Sequence, residues 1–450
     1  MPARIAPACE TGLAVASTPG KNGEDPRGSG RPGSTYAPLV NQAPGQTETA
    51  VVEAERLVAG GAALTRRGDG RIVLVEGVLP GERVEVAVTP RRGTDHGTLV
   101  RIVEPSPDRV DPVCPHVAEG CGGCDLMHLA IPAQVPAKTA IVTDALRRLG
   151  KWAEPVVRPG PALDPWGFRT TMRLAVADGR AGLRRAGTNE VVDIDHCAVA
   201  HPLLDELIAG GRFGEAREVT LRVGVATGER VALVTPKRDG VVLPDDVLVI
   251  GADEIAYGKR AWIHEELAGR RWRVSAPSFF QSRPDGAEAL VAVVRQLAAD
   301  VLEQPVDPER PRVLVDAYSG VGIFAGTLLG GRPGWRALCA EHSRSAVADA
   351  RVNLADLDVK IVATTVERLR APRADLVVAD PSRAGLGMRG AAAILSTEAE
   401  RIALVSCDPA AAGRDTALLS ERGYAPVESV LVDLFPHTHH TEVVTRFDRV

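Results

Sequence analysis

From about Ala287 to the C-terminus the apolar residues follow one repeating order, and that order constrains the fold more than any other feature. Leu290, Val293, Val294, Leu297 and Val301 recur at the spacing of one helix face. Short apolar runs then alternate with helical stretches: 313–315, 337–340, 360–363, 376–379 and 402–405. Such alternation predicts a parallel, doubly wound sheet, because parallel neighbours need a crossover long enough to hold a helix. The last two strand candidates, 429–434 and 442–447, are joined only by Phe435-Pro-His-Thr-His-His-Thr. That link is too short for a helical crossover, so the pair is expected to run antiparallel.

The 450 residues suggest about three such units at roughly 150 residues per domain. Residues 1–46 mix Pro, Gly, Ser and Thr without periodicity and read as a disordered tail. Residues 47–108 carry alternating runs such as Arg71-Ile-Val-Leu-Val and Arg83-Val-Glu-Val-Ala-Val between glycine turns, which predicts a five-stranded β-barrel. Arg66, Arg67, Arg91 and Arg92 lie in its turns, either to meet phosphate or simply to be solvated. Residues 109–277 bring a cysteine-bearing segment, a helical stretch over 133–149 with Lys138, Arg147 and Arg148 on its polar side, and then mostly β signals. Residues 278–450 form the α/β unit.

Charge argues against a bulk nucleic-acid binder, since 53 Lys+Arg stand against 58 Asp+Glu for a net −5. Only six of those 53 are Lys, a usage that reads as the coding bias of a GC-rich genome. No window reaches the roughly 20 apolar residues of a membrane span, and no basic-then-apolar leader opens the chain. We therefore expect a cytoplasmic monomer with no membrane contact and no obligate protein partner.

The chemistry-bearing residues gather at strand ends. The first α/β strand runs into Asp316-Ala-Tyr318-Ser-Gly320-Val-Gly322, a turn where backbone can approach a ligand or merely pack a helix. Glu341 ends the next strand, where a carboxylate can accept ribose hydroxyls, so an adenosine-containing cofactor is expected. Asp380 closes the fourth strand and Cys407 the fifth. Cys407 is either a small core hydrophobe or, given Ser406, Asp408 and Arg414 nearby, a reactive thiol. Cys114-x6-Cys121-x2-Cys124, with Cys197 further on, offers four thiolates that suit zinc or an iron–sulfur cluster alike. Cys9 and Cys339 have no expected role.

Ser406-Cys407-Asp408-Pro409, Asp380-Pro-Ser-Arg-Ala-Gly385, Phe279-Phe280-Gln281 and Phe435-Pro-His-Thr-His-His-Thr-Glu442 together resemble the RNA uracil-5-methyltransferase family. The stretch from Gly60 to Val84 is similar to its TRAM domain, an RNA-binding barrel, and the terminal hairpin is similar to the methyltransferase variant of the Rossmann-type fold. The resemblance implies that Cys407 adds to carbon 6 of a uracil, that carbon 5 takes the methyl of S-adenosylmethionine, and that Glu442 removes the carbon-5 proton. It implies that Gln281, Tyr318, Gly320, Gly322, Glu341 and Asp380 line the cofactor site. Cys114, Cys121, Cys124 and Cys197 would carry a four-iron cluster. The RNA is expected to be ribosomal, 23S rRNA first, with tRNA as the alternative. The His437, His439 and His440 link would place the base rather than bind metal. This chain departs from the family pattern at Asp408 (usually Asn), Ser382 (usually Pro) and Ile323 (usually polar). A negative Asp408 beside Cys407 is expected to raise the thiol pKa unless a cation such as Arg414 offsets it. These departures motivate a second reading, a non-catalytic RNA-binding protein. An oxidoreductase is disfavoured by the terminal hairpin.

Overall fold

The computed structural model describes residues 48–450. The expected tail, Cys9 included, lies outside the described residues.

Alternating valines build the barrel. Strands β1 (Glu48–Leu57), β2 (Ala63–Arg66), β3 (Ile72–Val75), β4 (Arg83–Thr89) and β5 (Asp95–Glu104) close in the order β1-β2-β3-β5-β4. Val52, Val73, Val75, Val84, Val86 and Val88 point inward, and the intervening residues face out. Two of the turn cations are engaged locally: Arg66 pairs with Glu55 and Arg67 with Glu48. Gly61 (φ +85°) makes a close approach, since a Cβ there would sit 2.7 Å from Asp125 Oδ2 and 2.9 Å from His439 Cβ. The barrel thus abuts the histidine link directly.

A short strand β6 (Val157–Pro159) precedes the central unit of β7 (Thr171–Ala177), β8 (Arg180–Arg184), β9 (Val191–Asp193), β10 (Arg212–Phe213), β11 (Glu218–Val223), β12 (Arg230–Thr235), β13 (Val241–Val242) and β14 (Val247–Gly251). Six of these form one sheet in the order β14-β12-β11-β7-β8-β9, and β10 pairs with β13. A hairpin of β15 (Trp262–Leu267) and β16 (Arg270–Ser275) follows.

The C-terminal sheet contains β17 (Arg312–Ala317), β18 (Trp335–Glu341), β19 (Val359–Ala363), β20 (Leu376–Ala379), β21 (Arg401–Ser406), β22 (Tyr424–Val432) and β23 (Glu442–Arg449). Its order is β19-β18-β17-β20-β21-β23-β22-β6, parallel throughout except where β23 runs antiparallel to both neighbours. Alternate residues feed two cores, as the period of a strand buried on both faces requires. Leu314, Val378, Ala403 and Val405 face one layer with Leu290, Val294 and Leu297 of the helix Pro284–Leu297. Val315, Val377, Ile402 and Leu404 face the other with Ala391 and Ile394.

This sheet recruits chain from ahead of residue 278. Trp272 of β16, fully buried, fills the first layer. The helix Ile131–Arg148 packs on the helix Pro409–Ser420, and β6 extends the sheet beyond β22. Lys138 corrects the expected polar side of that helix. It is wholly buried and ion-paired to Asp433 (2.6 Å), while Arg147 and Arg148 are exposed.

Candidate active site

Ligands in open α/β sheets bind beyond the C-terminal strand edge, and the polar strand ends meet there. Gln281, Tyr318, Gly320 and Asp380 line one cavity together with Phe279, Phe280 and Phe324. Phe279 is largely exposed at its mouth. Glu341 borders this cavity without lining it. Its Oε2 accepts from Gly320 N (3.0 Å), and Oε1 accepts from His342 N and Ser343 N. The two glycines divide their work. A Cβ on Gly320 would meet nothing within 4 Å, whereas one on Gly322 (φ +96°) would sit 2.7 Å from Leu354 Cδ1, so Gly322 packs a helix. Asp316, buried near the end of β17, accepts from Ala325 N through Oδ2 and leaves Oδ1 without a partner. Burial, then the charges of Asp380 and Glu341, push its carboxyl up to about 7.

Cys407 and Glu442 come near each other because β21 and β23 are neighbours: the ladder ends with Ser406 opposite Val443, Cys407 follows Ser406, Glu442 precedes Val443, and the charge of Glu442 acts on the Cys407 thiol. Burial pushes the Cys407 thiol up to about 12, reinforced by the charges of Glu442 and Asp380 and opposed by Arg383. Burial likewise raises Asp380 to about 7, and burial together with Asp380 holds Glu442 far above the ordinary carboxylate range. The thiol is thus raised, but Asp408 is not the cause. Asp408 turns away to cap the helix Pro409–Ser420, accepting from Ala411 N (2.7 Å). The opposing cation is Arg383 rather than Arg414, which is exposed. Arg383 also reaches His440 (3.2 Å).

No family model matches the chain. Among curated relatives, an "uncharacterized RNA methyltransferase" of Streptomyces avermitilis is 35% identical over 430 residues, covering 87% of this chain and 96% of that one. The 23S rRNA (uracil(1939)-C(5))-methyltransferase RlmD of Methylococcus capsulatus is 33% identical over 423 residues, covering 85% and 93%. The chain belongs to the RNA uracil-5-methyltransferase family. The crystal structure of the Pyrococcus abyssi tRNA (uracil-54, C5)-methyltransferase with S-adenosyl-L-homocysteine shares its fold, with a TM-score of 0.67 and 24% identity over 88% of this chain and all of that one. Among the described residues no helix is long and apolar enough to cross a membrane.

In this RNA methyltransferase the four cluster candidates also converge. Cys114, Cys121, Cys124 and Cys197 line one cavity with Met127, Met172, Leu183 and Ile194, and none is in a disulfide. Burial raises the Cys121 and Cys197 thiols and pushes Cys124 up to about 12. Among the described residues, no group of three or more His, Cys, Asp or Glu side chains is arranged as it stands to hold a metal ion. Cys339 is a wholly buried strand residue.

Several contributors had no signature in the sequence. Arg383 lies in the Asp380–Gly385 motif, where nothing in the sequence shows that its charge acts on Cys407. Asp125 and Gln134 reach the histidine link from the segment beside Cys124 and from the helix after it.

Proposed function

We propose that the protein methylates carbon 5 of a uridine in RNA through a covalent adduct on Cys407. The observation that carries this reading is the side-by-side seating of Cys407 and Glu442 on adjacent strand ends, next to the cavity of Gln281, Tyr318, Gly320 and Asp380. In this reading the Cys407 sulfur bonds to carbon 6, and the ring electrons move to carbon 5. S-adenosylmethionine supplies the methyl group when bound. Glu442 then takes the carbon-5 proton, the carbon 5–carbon 6 double bond re-forms, and the sulfur leaves. Arg383 favours the thiolate, and Tyr318, Gln281 and Gly320 would hold the cofactor, with Glu341 beside them.

The four cysteines would hold an iron–sulfur cluster. Support comes from their shared, largely apolar cavity and from the softness of four thiolates. The barrel would act as a TRAM domain. 23S rRNA is favoured as substrate because the Methylococcus relative is named for it. tRNA remains the alternative substrate.

The test uses labelled S-adenosylmethionine with undermodified 23S rRNA and tRNA, each offered separately. Label is expected in ribosomal RNA with the wild type and in neither RNA with Cys407→Ala. Label persisting in that variant would overturn the nucleophile. RNA containing 5-fluorouracil is expected to trap a covalent complex, since no carbon-5 proton remains to be removed. RNA binding without trapping would favour a non-catalytic protein.

A further inference from the structure

The link that delivers Glu442 is held in an unfavourable shape by residues remote in sequence. His437 is a non-glycine residue with φ +66°, a left-handed conformation that persists only where its surroundings fix it. Four neighbours fix it here. Gln134 Oε1 accepts from His437 N (2.7 Å), and Leu126 N donates to His437 O (2.8 Å). The imidazole stacks on Trp166 (4.2 Å between centroids) and reaches Pro165 O (3.2 Å). One helical turn beyond Gln134, the wholly buried Lys138 donates to Asp433 Oδ1 (2.6 Å) and Phe435 O (2.9 Å), where the link leaves β22. A buried ammonium is retained only where its partners compensate for lost water, and here one partner precedes the link and the other is its first residue.

We propose that Gln134 and Lys138 are positioning residues for the proton-abstraction step, setting the link so that Glu442 faces carbon 5 of the adduct. This rests on the reading of Glu442 as the base. In that step the carbon 5–hydrogen bond breaks, and the proton goes to Glu442. The bond's electrons form the carbon 5–carbon 6 double bond, and the carbon 6–sulfur bond breaks to release Cys407. Thiol addition and methyl transfer come earlier and use groups on β21 and around the cofactor cavity. Loosening the link should therefore stall the enzyme after methylation.

The test compares Lys138→Met, Gln134→Met and Glu442→Gln in the full-length protein, with ordinary uridine RNA and methyl-labelled S-adenosylmethionine. Product formation by both positioning variants should fall tenfold or more at unchanged KM for RNA, as roughly ångström-scale misplacement of a catalytic group does. Methyl label should meanwhile accumulate in an SDS-stable protein–RNA complex, as in Glu442→Gln. Trapping on 5-fluorouracil RNA should proceed at the wild-type rate, which general damage to the fold would not allow. If Glu442→Gln accumulates the complex while folded Lys138→Met and Gln134→Met do not, the positioning role is overturned. If Glu442→Gln itself accumulates none, the base assignment fails first. Should Lys138→Met not fold, Gln134→Met decides alone, since it removes only a neutral amide.

Discussion

Asp316 and Asp380 lie buried at the cofactor end of the sheet, and burial raises both carboxyls to about 7, above the range of exposed carboxyls. The fold tolerates Asp316 because protonation relieves it. An acid whose native pKa is raised stabilises the native state most below its unfolded value of 3.8 and loses that contribution as pH rises to about 7. A bound cation reverses the preference. S-adenosylmethionine carries a sulfonium and an ammonium against one carboxylate, so it should bind the ionised forms of Asp380 and Asp316 more tightly. Affinity is expected to rise about tenfold between pH 6 and pH 8, with protons released on binding. Titration calorimetry in two buffers of different ionisation enthalpy measures both, and Asp380→Asn should flatten the dependence. Affinity independent of pH would show that neither carboxyl feels the ligand. Asp408 gives the complementary lesson. Its sequence neighbour suggested electrostatic interference with Cys407, yet a helix beginning at Pro409 gives that carboxylate a backbone N–H to accept from. Local sequence names the charge but not the direction in which the backbone turns it.

At the scale of elements, the glycine turn between β17 and its helix splits into two positions of different kind. Gly322→Ala would place a methyl against Leu354 in a left-handed conformation and is expected to destabilise the protein by about 2–4 kcal/mol. Gly320→Ala meets open space, so its stability cost should stay near 1 kcal/mol while cofactor affinity falls. Thermal unfolding with and without S-adenosylmethionine separates the two; equal losses of stability would refute the division. The strands themselves were legible because a strand buried on both faces needs an unbroken apolar run, as at Leu376–Ala379, and a helix face repeats as at Leu290, Val294 and Leu297. Lys138 was not legible as a buried residue. Helical periodicity assigns a lysine to water, and its partner Asp433 lies 295 residues away.

Across the whole molecule, the cysteine cavity and the link that precedes Glu442 share one stretch of chain. Asp125, next to Cys124, accepts from His439 N (3.1 Å) and contacts His439 Nδ1 (2.6 Å), while the Leu126 amide donates to His437 O. Anaerobically purified wild type is expected to contain iron and sulfide, and Cys121→Ala to contain little. In that variant the Leu126 amide should also exchange hydrogen faster, because the segment that presents it loses an anchor. Zinc without iron would refute the cluster; iron loss with unchanged exchange at Leu126 would show that the cavity and the link are independent. The barrel presses on the same place through Gly61, so four parts of the chain, with Pro165–Trp166 as the fourth, converge on seven link residues that sequence patterns alone could not bring together.

That convergence sets an order on synthesis. Lys138, Gln134 and Asp125 leave the ribosome 295, 303 and 314 residues before their partners Asp433, His437 and His439 exist to receive them. Until then Lys138 has no counter-charge, β6 has no sheet to join, and Cys407 has no Glu442 near it. The barrel can therefore close long before the strand ends that bring Cys407 and Glu442 together, and the sheet edge is complete only when β23 joins it.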